Sequence, residues 1–362
     1  MTAHPLARLL ARPLARPLAR PFARPIARPT AAIALWAALL CSPARAQSPP
    51  PACPPTAQMP TQAQLQAGAR QARDRGFLWR IEKGGRSSWL YGTLHVAKFE
   101  WMFPGPQTRA ALQASNTVAL ELDALDPEIA RRMAQGTAAT PEAPALPEAL
   151  QQRIALAARA ECVALANLAA LAPEMQITVL TTLLGRRDGL DPSYGIDFTL
   201  AGWGRAAKLA VVSLETPEVQ TALLRAADAA EAEAFVDKAL VEMESGRALP
   251  ALLRVAQVWA DGDWPALQDY ESWCHCVSTD ADRADMKHML DDRNPGMADG
   301  IDALHARGQR VFAGVGSLHM IGATGLPALM AQRGYQVERI EWAGPPSTPA
   351  APASPASVKG ER

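Results

Sequence analysis

The sequence contains little histidine, no acidic residue in its first 46 positions and no apolar run long enough to cross a membrane. Six histidines in 362 residues make the placement of each one informative. The most apolar run, AAIALWAALL at positions 31–40, falls short of the roughly 20 residues that a membrane-spanning helix needs. A spanning helix is therefore not predicted.

The first 46 residues are typical of a secretory signal peptide. Seven arginines, a short apolar run and the small-x-small sequence ARA ending at Ala46 follow the usual order of such signals. Cleavage after Ala46 predicts a periplasmic or secreted protein without a stable membrane anchor. It leaves 29 basic against 36 acidic residues, and this mild acidity without a basic stripe argues against nucleic acid as a partner.

Four cysteines remain after cleavage: Cys53, Cys162, Cys274 and Cys276. An even number of cysteines in an oxidising compartment predicts disulfide bonds, and three pairings are open. The CHC sequence at 274–276 could instead bind a metal, but no second Cys/His cluster lies nearby. We favour disulfides.

The remaining chain divides by composition. Residues 47–63 and 344–362 are rich in proline and are predicted to be a disordered linker and tail, flanking one folded domain at 64–343. Strand-like segments lie near both ends of that domain, and alanine- and leucine-rich helices fill its middle. The pattern predicts an α/β fold with a helical insertion. The six predicted strands are FLWRIE, SSWLYG, TVALELD, LAVVSLE, QRVFAGVG and YQVERIEW.

Two histidines occur in the same context. Gly92-Thr93-Leu94-His95 and Gly316-Ser317-Leu318-His319 each follow a predicted strand and precede a helix and a second strand that ends on acidic residues. Composition alone gives about 0.4 such G-x-x-H spacings. We interpret the two segments as copies of one strand–GxxH–helix–strand unit.

This arrangement predicts a metal site. The carboxyl ends of parallel strands open into a common crevice, and glycine leaves room above them. Two imidazoles and a carboxylate would hold a divalent metal and leave a position open for water. Glu121 and Asp123, two residues apart at the end of a strand, supply the carboxylates, with Glu121 as ligand or as general base.

These segments also allow other interpretations. GVGSLH lacks the third glycine of a dinucleotide loop and the frame of a nucleophile elbow, so no nucleotide cofactor is predicted. Asp197 either stabilises a helix start or orients a histidine. Arg293 either stabilises developing negative charge or pairs with Asp291 or Asp292. Three of the four histidines outside the GxxH segments, His275, His288 and His305, are expected on the surface.

The segments from Phe77 to Trp342 resemble the TraB/GumN family, and through it the Tiki-type metalloproteases and, more distantly, erythromycin-esterase-like enzymes. The resemblance rests on LWRIEKGGRSSWLYGTLHV, TVALELD, YGIDFTLAGWGRAAKLAVVSLETPEVQ, DDRNPGM and FAGVGSLHMIGATGLPALMAQRGYQVERI. It implies a Tiki-like sheet with two related halves and a metal-dependent hydrolase site. Residues matching the family motifs are Gly92, His95, Glu121, Asp197, Glu215, Asp292, Arg293, Asn294, Gly316 and His319.

The sequence therefore predicts an exported metal-dependent hydrolase, with a peptide or protein as its substrate. His95, His319 and Glu121 would hold Mn²⁺ or Co²⁺, which the resemblance implies, or Zn²⁺, which the ligand types favour. Two alternatives stay open. One is a non-catalytic protein that binds a peptide or takes part in polysaccharide or envelope assembly, and the other is a metal-free esterase-like hydrolase with His95 as general base.

Overall fold

A computed structural model describes residues 52–58, 60–140, 145–274 and 276–342. The predicted signal peptide and the C-terminal tail lie outside these residues. The described chain forms one six-stranded mixed sheet with the strand order β4-β3-β5-β2-β1-β6. The strands are β1 (Phe77–Lys83), β2 (Arg86–Thr93), β3 (Thr117–Leu120), β4 (Ala210–Ser213), β5 (Val311–Gly316) and β6 (Gln336–Ile340). Each coincides with a predicted strand, and the α/β prediction is confirmed.

The four strands β2 to β5 are parallel to one another, whereas β1 is antiparallel to both of its neighbours, β2 and β6. The central strands β3 and β5 are apolar and almost entirely buried, as expected where helices cover both faces of a parallel sheet. At the edge, β6 keeps exposed polar residues. All four parallel strands thus end at the same edge of the sheet.

Helices fill the long connections between strands. They are α1 (Gln62–Arg70), α2 (Pro106–Ala114), α3 (Pro127–Thr137), α4 (Glu148–Ala160), α5 (Leu165–Leu168), α6 (Pro173–Leu183), α7 (Ile196–Ala206), α8 (Pro217–Leu224), α9 (Ala229–Glu244), α10 (Ala248–Asp261), α11 (Trp264–Gln268), α12 (Tyr270–Cys274), α13 (Asp280–Met286), α14 (Asn294–Ala306) and α15 (Leu326–Gln332). Short 3₁₀ turns at Phe99–Met102, Leu184–Asp188, Pro192–Tyr194 and Ser317–Met320 and a π-helical turn at Lys287–Asp291 complete the set.

Two hydrophobic cores result. The larger one covers the sheet and includes the fully buried Phe77, Phe312 and Trp259. The smaller one lies among α4, α5, α6 and α9, where Ile154, Ile177 and other side chains pack together away from the sheet. The helices between β3 and β4 and between β4 and β5 form the predicted helical middle. No described helix combines the length and the apolarity needed to span a membrane.

Both pairs of cysteines that remain after the predicted cleavage are bonded. Cys53 joins Cys162 across a sequence separation of 109, and Cys274 joins Cys276. The first bond attaches the proline-rich segment before α1 to the end of α4, where Arg187 Nη1 also donates to the Ala52 carbonyl at 2.5 Å. Disulfides are typical of proteins in oxidising compartments.

Candidate functional site at the carboxyl ends of the parallel strands

Four adjacent parallel strands each deliver one titratable side chain to the same edge of the sheet. His95 follows β2, Glu121 follows β3, Glu215 follows β4 and His319 follows β5. The register places Thr93 beside Gly316, so the two GxxH segments leave the sheet side by side. Backbone bonds from Leu214 N and Glu215 N to the carbonyls of Leu120 and Glu121 extend the pairing of β3 and β4 to the site.

The glycines of both GxxH segments permit close approach. A Cβ atom on Gly92 would lie 2.8 Å from Ser317 Oγ, and the Gly92 carbonyl accepts a hydrogen bond from Trp259 Nε1 at 2.8 Å. A Cβ atom on Gly316 would lie 3.2 Å from Glu121 Oε1, 3.5 Å from His319 Cδ2 and 3.8 Å from His95 Nε2. The missing side chain of Gly316 therefore leaves a space bordered by both histidines and Glu121.

His95 is held by a carboxylate behind it. Its Nδ1 lies 2.7 Å from Asp197 Oδ2, and Thr93 Oγ1 donates to Asp197 Oδ1 at 2.6 Å. The negative charge of Asp197 raises the pKa of His95 to about 9. The His95 side chain is nevertheless 70% exposed to solvent, so this ion pair adds little to stability. Its Nε2 atom remains available towards the site.

His319 is held by a neutral amide. Its Nδ1 lies 2.7 Å from Asn294 Oδ1, while Asn294 Nδ2 donates to the Thr324 carbonyl at 2.9 Å. This orientation of the amide makes Nδ1 the protonated nitrogen and leaves the lone pair on Nε2. Burial lowers the pKa of His319 to about 4, with Glu121 opposing this effect, so the ring is neutral at neutral pH.

Glu121 is buried and ionised. Burial opposes its charge, but His319, His95 and Arg293 together with the hydrogen bond from Gly316 N lower the pKa of Glu121 to about 2. The Gly316 amide lies 2.7 Å from Oε1, and Arg293 Nη2 lies 2.6 Å from Oε2. Gln220 Nε2 donates to the same Oε2 atom at 3.3 Å.

Arg293 joins the carboxylates. It donates to Glu215 through Nε at 2.9 Å and through Nη2, and its Nη1 lies 3.3 Å from His319 Nε2. Although burial disfavours its charge, Glu215 and Glu121 raise the pKa of Arg293. The pairing of Arg293 with Asp291 or Asp292, considered from sequence, is wrong.

The two acidic residues before Arg293 have other partners. Asp292 pairs with Lys287 and His288, and Asp291 accepts a hydrogen bond from Thr324. Neither touches Glu121 or the histidines of the GxxH segments in the contacts of the described chain.

The structure thus brings His95, His319, Glu121, Asp197, Glu215, Arg293, Asn294 and Gly316 into one cluster. Asp123 lies apart from it. The strand ends at Leu120, and both Asp123 oxygens instead bind Arg205, at 2.9 and 2.6 Å. The inference that Glu121 and Asp123 share a strand face does not apply beyond the strand end.

The imidazole and carboxylate groups of the cluster are of the types that bind a divalent metal. In this conformation, however, the Arg293 guanidinium occupies part of the cluster. Within the described ranges, no group of three or more His, Cys, Asp or Glu side chains is arranged to hold a metal ion. Arg293 lies between Glu121 Oε2 and His319 Nε2. Both rings nonetheless keep Nε2 free of Asp197 and Asn294, which is how metal-binding histidines are usually held.

A cavity of about 140 Å³ opens beside the cluster. Its polar wall contains His95, Glu121, Asp197 and Gln220. Its other wall is mostly apolar and contains Leu122, Ala124, Met133 and Phe198. A small molecule or a side chain entering here would meet the carboxylate and the exposed imidazole together.

Sequence reasoning missed several residues around the site. Thr93 contacts Asp197, and Gln220 contacts Glu121. Gly195 allows α7 to begin against the chain after β2, because a Cβ there would lie 2.6 Å from the His95 carbonyl. Position two in the GxxH segment and the glycine of YGID were the available signals.

The surface position expected for His305 is also wrong. His305 is 3% exposed, its Nδ1 lies 2.9 Å from Ser88 Oγ, and its Nε2 lies 3.0 Å from the Lys83 carbonyl. It ties α14 to the start of β2. Its place near the end of α14 gave no sign of these partners on a distant hairpin.

The family model described as the TraB/PrgY/gumN family matches residues 77–339 of the chain. The matched range begins at β1 and ends in β6, so it includes the sheet except for Ile340 and every residue of the cluster. No curated protein and no solved structure matches the chain significantly.

Proposed function

The chain belongs to the TraB/PrgY/gumN family, and from that premise we propose that it is an exported metal-dependent hydrolase that acts on peptides or proteins. The supporting observation is that Gly316 leaves a space bordered by His95 Nε2, His319 and Glu121. Hydrogen bonds to Nδ1 hold His95 and His319, and Glu121 Oε1 accepts one from the Gly316 amide. Two imidazoles and a carboxylate are a common ligand set for catalytic metals.

His95, His319 and Glu121 would hold the metal, which we expect to be Mn²⁺, Co²⁺ or Zn²⁺. When bound, such an ion polarises a carbonyl and lowers the pKa of a water molecule. Asp197 and Asn294 fix the rings, and Thr93 fixes Asp197. Glu121, whose low pKa keeps it ionised, serves as ligand or as general base.

Arg293 has a separate role in this proposal. Its guanidinium neutralises the buried Glu121 and Glu215, which would otherwise repel each other. It also places a positive charge beside Glu121 and His319, where it would stabilise the oxyanion that forms when a carbonyl is attacked.

The two GxxH segments belong to two similar units of the fold. The segments β2–GxxH–α2–β3 and β5–GxxH–α15–β6 share an order of elements, and β2 and β5 are adjacent and parallel. We therefore keep the hypothesis of two related, Tiki-like halves, which explains why two GxxH histidines meet at one edge. Export to the periplasm or beyond agrees with the two disulfides.

One contact favours a second candidate, hydrolysis without metal. The His95–Asp197 pair, with an exposed Nε2, has the form of a histidine general base oriented by a carboxylate. In that case the neutral form of His95, which a pKa of about 9 makes dominant only at alkaline pH, would take a proton from water, and Arg293 would stabilise the oxyanion.

Metal content separates the candidates. The full chain would be produced with export, and bound metal per chain would be measured for the wild type and for His95→Ala and His319→Ala after loading with Mn²⁺, Co²⁺ or Zn²⁺. His288→Ala is the matched control, because His288 is an exposed histidine outside the cluster. Each loaded sample would then be tested on a peptide library.

We expect about one ion per wild-type and His288→Ala chain, little in the other two variants, and peptide cleavage that a chelator abolishes. A wild type that binds no ion under any loading condition would overturn the metal-dependent proposal. Cleavage that persists with chelator but needs His95 would establish the metal-free candidate instead.

A further inference from the structure

The Cys274–Cys276 bond has little to contribute as a structural cross-link. A disulfide stabilises a fold mainly by restricting the unfolded chain, and this restriction grows with the length of the closed loop. The Cys53–Cys162 bond spans a sequence separation of 109, whereas the Cys274–Cys276 bond spans a separation of 2. A bond that restricts so little of the unfolded chain calls for another role.

The two sulfurs of this short bond lie in different environments. Cys274 is 6% exposed and belongs to the main hydrophobic core, at the end of α12. Cys276 lies beyond the helix and is exposed to solvent. An incoming thiolate can therefore reach Cys276, and the sulfur that would leave is that of Cys274.

Hydrogen bonds favour that direction of attack. The Cys276 backbone N–H lies 3.1 Å from Cys274 Sγ, so it can stabilise negative charge on Cys274 as this sulfur leaves. A leaving thiol with a lowered pKa departs faster. The Tyr270 hydroxyl lies 3.4 Å from Cys276 Sγ and can serve the same purpose for the second sulfur.

The flanking segments are anchored independently of the disulfide. Trp273 Nε1 donates to the Ala266 carbonyl at 2.7 Å, which fixes α12. On the other side Asp282 accepts hydrogen bonds from Ser278 and Thr279 in the cap of α13. Opening the S–S bond would thus leave both helices in place.

From these observations we propose that Cys274–Cys276 is a thiol–disulfide exchange site that oxidises exposed dithiols of peptides or proteins. A substrate thiolate attacks Cys276 Sγ, the S–S bond breaks, and Cys274 leaves as a thiolate that takes a proton from water. The second substrate thiolate then attacks the substrate sulfur of the mixed disulfide. The substrate disulfide forms, and Cys276 leaves as a thiolate that takes a proton from water.

The reaction transfers two electrons from the substrate to the protein, which becomes a dithiol. A low-molecular-weight disulfide such as oxidised glutathione restores the Cys274–Cys276 bond and is itself reduced to two thiols. This activity is independent of the proposed hydrolase, and its assays contain a chelator and no added metal.

The first test is equilibration of the full chain in glutathione buffers of graded ratio, followed by quenching, alkylation and mass spectrometry. We expect Cys274–Cys276 to pass reversibly between disulfide and dithiol in buffers that leave Cys53–Cys162 oxidised. Glutathione should attach to Cys276 in Cys274→Ser, whereas the buried Cys274 should stay unmodified in Cys276→Ser. Reduction of Cys274–Cys276 only in buffers that also reduce Cys53–Cys162 would overturn the proposal.

The second test is oxidation of a dithiol peptide by oxidised glutathione. We expect the wild type to accelerate it by about tenfold or more over the Cys274→Ser/Cys276→Ser double variant. Tyr270→Phe keeps both cysteines and should slow the reaction several-fold. This variant tests the site even if the double variant fails to fold. Equal rates for the wild type and a folded double variant would also overturn the proposal.

Discussion

Asn294 Oδ1 lies 2.7 Å from His319 Nδ1, and this contact decides which nitrogen of His319 faces Glu121 and Arg293. The amide is itself oriented by the Thr324 carbonyl. Asn294 thus fixes the tautomer of His319. The pairing explains why an asparagine, which has no charge, lies 1% exposed at the start of α14.

Replacing this amide should loosen the histidine without removing it. Asn294→Ala should weaken metal binding by roughly 10- to 100-fold, because the ring loses its fixed orientation. Asn167→Ala, an exposed asparagine in α5, is the matched control. Titration of metal binding by calorimetry would check the prediction, and equal affinities for the two variants would contradict it.

Filling the space at Gly316 should disturb the site and leave the fold intact. The Cβ atom in Gly316→Ala would lie within 3.8 Å of His95, Glu121 and His319. We expect metal content to fall several-fold with little change in the thermal unfolding midpoint. In Gly296→Ala the new Cβ has no neighbour within 4 Å, so both quantities should stay at the wild-type level. Full metal loading of Gly316→Ala would refute this account of the space.

Removing Arg293 should be costly at neutral pH. Arg293→Met leaves Glu121 and Glu215 buried without their counter-ion, which should lower the free energy of unfolding by roughly 3–5 kcal/mol. The pKa of Glu121, about 2 in the wild type, should rise in the variant. The stability difference is therefore fully present above the ordinary pKa of glutamate and diminishes as the pH falls towards 2.

Urea denaturation at several pH values would measure this difference. The control is Arg131→Met, which breaks a solvent-exposed ion pair with Glu128 and should have no measurable effect. A cost that did not depend on pH would show that packing, and not charge, makes Arg293 important.

A second acid-sensitive contact lies away from the site. The Tyr335 hydroxyl, 2.7 Å from Asp302, lowers the pKa of that carboxyl, and Lys83 acts in the same direction. Its stabilising effect is present above the ordinary aspartate pKa of 3.8 and is lost as the pH falls through the lower folded value.

Asp302→Asn should therefore be less stable than the wild type at pH 7, by less than about 1 kcal/mol because the pair is partly exposed. The two proteins should converge at strongly acidic pH. Thermal unfolding across that range would check this, and a constant difference would contradict it.

The two disulfides should differ in their effect on stability. Cys53→Ser removes the bond that closes the long loop and should cost about 2–5 kcal/mol. Cys276→Ser should cost much less, since its bond restricts only three residues of the unfolded chain. Denaturation of both variants without reductant would rank them, and a reversed ranking would show that Cys274–Cys276 is the main structural cross-link.

The sequence predicted the sheet well because its strands carry strong local signals. Val118 and Phe312 lie in short apolar runs, and these runs form the buried strands β3 and β5. The repeated GxxH context also led to His95 and His319. Their proximity follows from the pairing of β2 with β5, a contact between distant segments that no local pattern encodes.

The partners of buried polar groups were harder to predict. For Arg293 the sequence left open a pairing with its neighbours Asp291 and Asp292, but the side chain binds carboxylates at the ends of two strands. His305 looked like a surface residue and is buried against the β1–β2 hairpin. In both cases tertiary packing determines which groups the side chain contacts. The position of a residue at the end of a helix does not indicate those partners.

The distance along the chain between β2 and β5 affects when the site can form. His95 follows β2, while the strand beside it, which carries His319, comes more than 200 residues later. During synthesis the first half of the cluster is therefore present without the second. A chain that stops before residue 316 has neither the second imidazole nor the space at Gly316. The proposed site can therefore form only after β5 and the GxxH segment that follows it have been synthesised.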